Sequence, residues 1–342
     1  MSTITPTAAI HQPVLVQRCV ELLAPALIPV ERPVLVDATV GLGGHSEALL
    51  QRFPHLQIIG IDRDGEARAL AGKRLSVFGS RIEIVAATYG QLAEILAERG
   101  LETVDGILAD LGVSSLQLDE TARGFAYAIP EAPLDMRMDQ SRGITAAQFI
   151  ATTSETEIAR VLRTYGEEKF ARQIARNIVK TREVTPLRTT GELVDLIRAT
   201  IPAPARRHGG NPAKRTFQAL RVAVNDELRD LEVFLTAALG ALRVGGRLVV
   251  ESYQSLEDRL VKQAFTPGIH PEVPRGLPVI PTGYEPWLQD LTRGAEKADV
   301  LELQRNSRSQ SVRLRAVAKL REMAPHEPKR PNPNPNPAPR RK

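Results

Sequence analysis

A glycine-rich turn after a short apolar run is the feature that most constrains the fold of this chain. The apolar residues 34–36 lead into Asp37, and a glycine-rich stretch follows at residues 41–44. A second apolar run ends on Asp62, 21 residues after Gly41. In doubly wound α/β sheets such a turn lets the backbone approach a nucleoside, and the acid after the second strand binds ribose hydroxyls. The pattern therefore predicts a nucleoside site at the carboxyl edge of a parallel sheet.

The alternation of apolar and amphipathic segments predicts the rest of that sheet. Strands are predicted at residues 34–38, 58–62, 82–86, 106–110 and 247–252, with a late pair at 300–303 and 312–317. Helices are predicted at residues 45–53, 65–78, 89–99, 226–242 and 256–265. Residues 145–225 instead have helical apolar spacing throughout, for example over 155–165 and 167–181. The predicted fold class is therefore α/β, a Rossmann-like doubly wound sheet interrupted by an inserted all-helical domain.

Four regions follow from these patterns. Residues 11–143 and 226–320 form the sheet domain, and residues 144–225 form the helical insertion. Residues 1–10 are expected to be mobile. Residues 327–342 are rich in Pro and Asn and are expected to be a disordered basic tail, because they cannot bury apolar surface. Much of the net charge of +5 lies at this end of the chain, so any nucleic-acid surface on the folded body must be a local patch.

Composition excludes several classes of protein. A single cysteine, Cys19, rules out an internal disulfide and any multi-cysteine metal centre. Aromatic residues make up only 4% of the chain, which disfavours RNA binding through aromatic stacking platforms. No charged and apolar leader opens the chain, and no apolar run approaches about 18 residues. We therefore expect a soluble cytoplasmic protein without a membrane partner.

The glycine turn also limits the choice of ligand. A dinucleotide fingerprint needs a third glycine at position 46, where this chain has Ser46. A nicotinamide or flavin cofactor is therefore disfavoured, although a nicotinamide oxidoreductase remains an alternative on this fold. S-adenosylmethionine fits the turn, because it has an adenine, a ribose and an amino-acid end but no pyrophosphate. Asp110 ends the fourth predicted strand, so it should face the same crevice.

Several short motifs occur in a fixed order along the chain. They lie at residues 11–15, 43–46, 110–119, 123–125, 133–139, 165–168, 215–221, 225–228 and 255–259. Together these motifs closely resemble the bacterial small-subunit rRNA cytosine-N4 methyltransferases, from about His11 to Val317. The resemblance implies a class I methyltransferase fold, S-adenosylmethionine as methyl donor, and cytidine 1402 in the decoding centre of 16S rRNA as acceptor. It implies no metal.

The resemblance also implies site residues. The cofactor contacts would be Gly43, Gly44, His45, Asp62, Tyr89, Asp110 and Gln117. Candidates for the catalytic pocket are Asp110, Asp135 and Asn225, with Arg137, Glu257 and Asp258 beside them. One departure stands out: the family usually has histidine where this chain has Gln254, and a neutral amide can donate or accept a hydrogen bond but cannot carry a proton. A noncatalytic ribosome-assembly factor is therefore a second alternative.

A basic segment at the end of the helical insertion predicts where RNA binds. Residues 196–225 carry basic side chains and no acid, and proline and glycine make part of the segment a mobile loop. Such a loop beside a catalytic crevice suits phosphate contacts. The predicted RNA contacts are Arg137, Arg206, Arg207, Lys214, Arg215 and Arg221. A DNA, tRNA or protein acceptor remains a third alternative, and the oligomeric state stays open, with a homodimer among the options.

Overall fold

The computed structural model describes residues 13–206, 211–271 and 284–322 of the chain. The strands are β1 (Val34–Asp37), β2 (Gln57–Asp62), β3 (Ile82–Ala86), β4 (Val104–Asp110), β5 (Leu242–Ser252), β6 (Leu288–Asp290) and β7 (Arg313–Lys319). The helices are α1 (Val16–Leu27), α2 (Gly44–Arg52), α3 (Gly65–Leu75), α4 (Leu92–Glu98), α5 (Ser115–Asp119), α6 (Ala146–Thr152), α7 (Glu155–Gly166), α8 (Ala171–Arg182), α9 (Thr190–Thr200), α10 (Ala203–Arg206), α11 (Lys214–Asn225), α12 (Glu227–Ala241), α13 (Ser255–Ile269) and α14 (Val300–Arg305).

The strands form one sheet in the order β3-β2-β1-β4-β5-β7-β6. Strands β1 to β5 are parallel, whereas β7 runs antiparallel to both of its neighbours. The chain moves outward from β1 to β3 and then returns to β4 on the other side of β1. That reversal opens a crevice at the carboxyl ends of β1 and β4, where ligands bind in such sheets. The predicted doubly wound α/β fold is confirmed.

Helices cover both faces of the sheet. On one face, α1 packs against β4 and β5, and α2 and α3 pack against β2; their buried side chains include Leu23, Leu49 and Leu75. On the other face, α4, α12 and α13 bury Leu96, Phe234 and Val261 against the central strands. Because both faces are covered, the buried middle of the central strands consists mainly of apolar residues, as is typical of parallel sheets.

A group of helices lies between β4 and β5 and has a hydrophobic core of its own. Leu162 of α7, Ile174 of α8 and Leu220 of α11 are buried in this core and are inaccessible to solvent. Helices α7, α8 and α11 make its most extensive contacts. The apolar spacing predicts α7 and α8, so the change of pattern after Asp110 corresponds to a change of architecture. Helix α11 instead occupies part of the segment that was expected to contain a mobile loop.

Two predicted elements are wrong in detail. Residues 300–303 were expected to be a strand, but they begin α14, because the side chain of Asp299 accepts a hydrogen bond from Glu302 N–H at 2.7 Å and caps the helix. The edge strand is β6 instead. The helix expected at 167–181 begins later, at Ala171, because Glu167 has a left-handed backbone with φ 49° and ends α7. The predicted mobile residues 1–10 and the tail 327–342 lie outside the described residues.

Candidate cofactor cleft

A cleft of about 720 Å³ opens at the carboxyl edge of the sheet. Its walls include Asp62 at the end of β2, Asp110 at the end of β4, and Tyr253 directly after β5. Lys214 and Phe217 of α11 line the opposite side. The cleft therefore lies between the sheet and the helical group, where a small ligand and a larger one can meet.

Most of the predicted cofactor residues come together in this cleft. Six of them line it: Gly44, His45, Asp62, Tyr89, Asp110 and Gln117. Gly43 is not part of the lining. It has φ 81° at the residue before α2, and a Cβ there would lie 3.0 Å from Leu75 Cδ1. The left-handed backbone and the close packing explain why a glycine occupies position 43. A direct contact between Gly43 and the cofactor stays a prediction.

The carboxylate of Asp62 is held by the backbone on both sides. Gly41 N–H donates to its Oδ2 at 2.9 Å, and Asp64 N–H donates to its Oδ1 at 2.8 Å. Burial raises the pKa of Asp62 to about 6, although the two amide donors act in the opposite direction. Each oxygen keeps a second lone pair, so the ionised side chain is oriented to accept hydrogen bonds from a ligand in the cleft.

The residue that replaces the third glycine of a dinucleotide fingerprint has a defined role. Ser46 is fully buried in α2, and its hydroxyl donates to Asp37 Oδ2 at 2.6 Å. Thr39 N–H donates to the other carboxylate oxygen at 3.2 Å. Ser46 therefore ties the glycine turn to the end of β1 through a buried polar contact, which a glycine would not provide.

The floor of the cleft is a cluster of polar groups around Asp110. Tyr253 O–H donates to Asp110 Oδ1 at 2.8 Å, and His45 Nδ1 lies 3.8 Å from Asp110 Oδ2. Burial and the nearby carboxylates raise the pKa of Tyr253 well above its usual value, so its phenol remains a proton donor at neutral pH. Tyr253 was not predicted, because it approaches Asp110 only through the pairing of β4 with β5.

Residues 111–143 form a segment over the cleft that we call the cleft loop. Gln117 lies in it, and its side chain is used internally: Nε2 donates to Asp64 Oδ2 at 2.9 Å and Oε1 accepts from Ser114 N–H at 3.1 Å. Arg123, which is almost completely buried, donates to the same oxygen of Asp64 at 2.7 Å. Asp64 and Arg123 thus attach the cleft loop to the sheet, a role that the sequence did not indicate.

Tyr89 is one of the aromatic residues that line the cleft. Its hydroxyl donates to Glu227 O at 3.0 Å, and its ring packs edge-on against Phe234 with centroids 5.6 Å apart. The ring is therefore fixed at both ends of the side chain while it lines the cleft. A flat ligand can pack against a ring that is held in this way.

The predicted catalytic residues Asp135 and Asn225 do not line the cleft. Both oxygens of Asp135 accept hydrogen bonds from the guanidinium of Arg137 at 2.8 Å. Asn225 is buried, and its amide accepts from Met138 N–H and donates to Met136 O, both at 2.8 Å. In this structure both residues organise the cleft loop, and their predicted catalytic role remains a prediction.

The predicted RNA contacts are distributed differently from expectation. Lys214, Arg215 and Arg221 lie on α11 rather than in a loop. Arg221 lines the cleft but pairs with Glu227 through two hydrogen bonds of 2.8 and 2.9 Å, so its charge is already compensated. Arg215 is exposed and donates to Glu167 O at 3.2 Å. Arg207 and the side chain of Arg206 lie outside the described residues.

Gln254, the residue that departs from the family motif, directly precedes α13 and lines the cleft. Its Nε2 donates to Glu257 Oε1 at 3.0 Å, and Glu257 Oε2 accepts from the backbone N–H groups of Tyr253 and Gln254. Burial raises the pKa of Glu257 to about 7. Asp258, the other predicted acid here, pairs with Arg313 and Arg315 at 3.1 and 2.7 Å. Gln254 therefore acts through hydrogen bonds, as a neutral amide must.

The chain is similar to a known family and to several known proteins. A model described as the MraW methylase family matches residues 8–320. A relative from Nocardioides sp., named ribosomal RNA small subunit methyltransferase H, is 58% identical over 309 residues, which cover 90% of this chain and 96% of the relative. A relative of the same name from Beutenbergia cavernae is 56% identical over 314 residues, covering 92% and 94%. A solved rRNA methylase from Streptococcus thermophilus aligns with a TM-score of 0.41 at 12% identity, over 92% of this chain and 100% of that one. Among the described residues, no helix combines the length and apolar character needed to cross a membrane.

Proposed function

Because this chain belongs to the MraW methylase family, we propose that it methylates N4 of cytidine 1402 in the rRNA of the small ribosomal subunit. It is an S-adenosylmethionine-dependent methyltransferase with a class I, Rossmann-like fold. The two relatives described above carry the name of a small-subunit rRNA methyltransferase, which supports the RNA substrate. The choice of cytidine 1402 as the base and of N4 as the methylated atom is what the resemblance of the sequence motifs to the family implies. A cytoplasmic location follows from such a substrate and is part of the proposal.

The residues of the cleft fit the chemistry of this cofactor. Gly41, with φ 51°, leaves backbone space beside Asp62, whose oriented carboxylate can accept two ribose hydroxyls. The carboxylate of Asp110 can face the ammonium group of the amino-acid end, and the ring of Tyr89 can face the base. When bound, S-adenosylmethionine supplies a methyl group that is already activated as a sulfonium.

The protein must then align the acceptor and make its nitrogen reactive. The lone pair of a cytosine amino group is delocalised into the ring, and a hydrogen-bond acceptor for the amino hydrogens favours a more nucleophilic geometry. We assign this role to Asp110 and the backbone of residues 111–113, since they lie at the end of β4 and line the cleft. Tyr253 keeps the Asp110 carboxylate in position. Alignment of the two reactants can contribute roughly 7–11 kcal/mol.

The helical group supplies the RNA side of this proposal. Lys214 is exposed, lines the cleft and lies at the first residue of α11. We therefore propose that residues 144–225 form a substrate-recognition domain and that residues 11–143 and 226–320 form the methyltransferase domain. Extruding a stacked base costs a few kcal/mol, and phosphate contacts from basic residues would offset that cost.

The observation that carries the proposal is one cleft lined by both Asp62 and Asp110 of the sheet and Lys214 of the helical group. The test is Asp110→Asn, with methyl incorporation into small-subunit particles measured in a single turnover. We expect the rate to fall about 100-fold or more, as for other groups that stabilise developing charge. Glu94→Gln, at an exposed position on α4 and outside the cleft lining, should keep the normal rate. A near-normal rate for Asp110→Asn would remove Asp110 from the mechanism.

A second experiment identifies the acceptor. Mass mapping of 16S rRNA from cells that lack the protein should show unmethylated N4 at cytidine 1402, and restoring the gene should restore the methyl group. A modification missing from a DNA, tRNA or protein instead would redirect the proposal to that acceptor. No missing methyl group in any of them would favour the assembly factor.

A further inference from the structure

A second carboxyl group lies beside Asp110 and is not part of the motifs in the sequence. Glu251 is the direct neighbour of Asp110 in the parallel register of β4 and β5. Asp110 has 27% of its side chain exposed to the cleft, whereas the side chain of Glu251 has no exposure. The floor of the cleft therefore holds two adjacent acids, one in contact with solvent and one sealed beneath it.

The hydrogen bonds around Glu251 leave one of its oxygens without a donor. Its Oε1 accepts from Cys19 Sγ at 3.4 Å. Its Oε2 is buried and has no hydrogen-bond partner within the part of the chain that the structure describes. His45 Nε2 lies 3.7 Å from Oε2, but it is 3.0 Å from Val14 O. Since a carbonyl only accepts, that nitrogen carries a hydrogen and donates it to Val14.

An ionised Glu251 would be poorly compensated in this position. Burying a carboxylate without a donor or a cation is costly, whereas a protonated carboxyl group can donate a hydrogen bond itself. Burial is the largest cause that raises the pKa of Glu251 well above its usual value, and repulsion from Asp110 is the second largest. The groups that face Glu251 or its neighbours from the surrounding elements are Cys19 of α1, Asp37 of β1, His45 of α2, Asp110 of β4, Tyr253 after β5 and Glu302 of α14. Neither a lysine nor an arginine is among them.

We propose that Glu251 and Asp110 form a carboxyl pair that shares one proton, and that this pair is the counter-charge for the ammonium group at the amino-acid end of the bound nucleoside. The proposal rests on the proposed function of the cleft. In the free protein the pair carries a single negative charge, with Glu251 as its protonated member. Two adjacent carboxyl groups behave in this way because both cannot ionise without strong repulsion.

The pair gives binding a measurable proton balance. A positive charge placed beside Asp110 reduces the repulsion between the acids, so the O–H bond of Glu251 ionises more readily. Its electrons remain on the carboxylate, and the proton passes to the buffer. Binding of S-adenosylmethionine near neutral pH should therefore release a fraction of a proton. S-adenosylhomocysteine, which lacks the sulfonium charge, should release less.

The decisive variant is Glu251→Gln in the full chain, because glutamine keeps the shape and can donate to Asp110 but cannot ionise. Glu257, with a pKa of about 7, contributes to the infrared carbonyl stretch of protonated carboxylic acids at pH 7 in every variant. Beyond that contribution, the free protein should show the stretch of one further protonated carboxylic acid, and Glu251→Gln should lose it. Glu83→Gln, at an exposed acid on β3 that pairs with Arg99, should retain it. In calorimetry with S-adenosylmethionine in two buffers of different ionisation enthalpy, Glu251→Gln should release fewer protons than the unmodified chain.

Identical infrared spectra, or equal proton release, would overturn the proposal. If neither protein bound S-adenosylmethionine, the proposed function would fail, and the infrared comparison would still decide whether the proton is shared. If Glu251→Gln did not fold, Asp110→Asn would replace it in a pH titration of the infrared band. The carboxylic acid stretch should then disappear at a lower pH than in the unmodified chain. An unchanged midpoint of this titration would contradict the carboxyl pair. Cys19, His45 and Glu251 bring three ligand-type atoms within 4.8 Å, so a stoichiometric metal in the purified protein would also overturn the shared proton.

Discussion

At the scale of single residues, Asp62 is oriented before any ligand arrives. Two backbone amides fix its carboxylate, so binding a ribose requires no side-chain reorganisation. An asparagine in this position can present an oxygen to only one of the two amides, and its NH₂ group would face the other donor. The side chain would then be strained or turned away from the ligand.

We expect Asp62→Asn to raise the Kd for S-adenosylmethionine about 10- to 100-fold, since hydrogen bonds to charged groups contribute about 1.5–3 kcal/mol. Isothermal titration calorimetry measures this change, with Asp195→Asn as a control that should bind normally. Because the pKa of Asp62 is about 6, the affinity of the unmodified chain should fall as the pH drops below 6. The affinity of Asp62→Asn should change less over the same range. An unaltered Kd would exclude Asp62 from ribose binding.

Glu257 should make stability depend on pH. Its pKa is raised from 4.5 to about 7 in the folded protein, so the folded state binds this proton more tightly than the unfolded state does. The resulting stabilisation is complete below pH 4.5 and is lost as the pH rises through 7. Between pH 5 and 8, we expect the free energy of unfolding to fall by on the order of 1–3 kcal/mol more in the unmodified chain than in Glu257→Gln. Urea unfolding at several pH values measures this slope, which the exposed control Glu155→Gln should leave unchanged. Parallel slopes for all three proteins would contradict the assignment.

At the scale of elements, the cleft loop depends on one tight backbone approach. Gly124 has φ 70°, and a Cβ there would lie 2.1 Å from Pro133 O. Gly143, in the same loop, has φ 73° but has open space around it. The two glycines therefore separate the cost of the backbone conformation from the cost of a collision.

We expect Gly143→Ala to cost about 1–2 kcal/mol of stability, the usual cost of a left-handed backbone with a Cβ. Gly124→Ala should cost more and should also weaken binding of S-adenosylmethionine, because the collision displaces the loop that carries Gln117 and Arg123. Thermal unfolding and calorimetry of both variants measure the difference. Equal effects of the two substitutions would mean that the contact with Pro133 is easily relieved.

The sequence predicted the parallel strands well for a physical reason. Strands covered on both faces appear as short apolar runs, and each run that ends on an acid marks a carboxyl end at the crevice. Residues 300–303 were misassigned because four residues are too short to distinguish a strand from a helix without recognition of the Asp299 cap. Glu227 compensates the charge of Arg221 because of the way in which α11 and α12 meet. The spacing of residues in the sequence does not show that geometry. The position of Glu251 depends on strand register in the same way.

At the scale of the whole molecule, RNA binding should depend on a small number of uncompensated cations near the cleft. Lys214 is exposed and lines the cleft, whereas Arg221 is half-buried and forms an ion pair with Glu227. We expect Lys214→Ala to weaken RNA binding and to reduce the slope of log K against log salt by about 1, with no change in the Kd for S-adenosylmethionine. Lys262→Ala, at an exposed position on α13, is the control. An unchanged salt slope for Lys214→Ala would argue against a phosphate contact there.

The insertion of the helical group between β4 and β5 has a consequence for synthesis of the chain. Strand β4 ends at Asp110, but its partner β5 begins only at Leu242. A nascent chain therefore carries an open strand edge while all of the intervening helices are translated, and such edges promote aggregation. Early compaction of those helices would shorten the distance over which β5 must move to pair with β4. Translation that stalls between the two strands should yield a product that needs a chaperone to stay in solution.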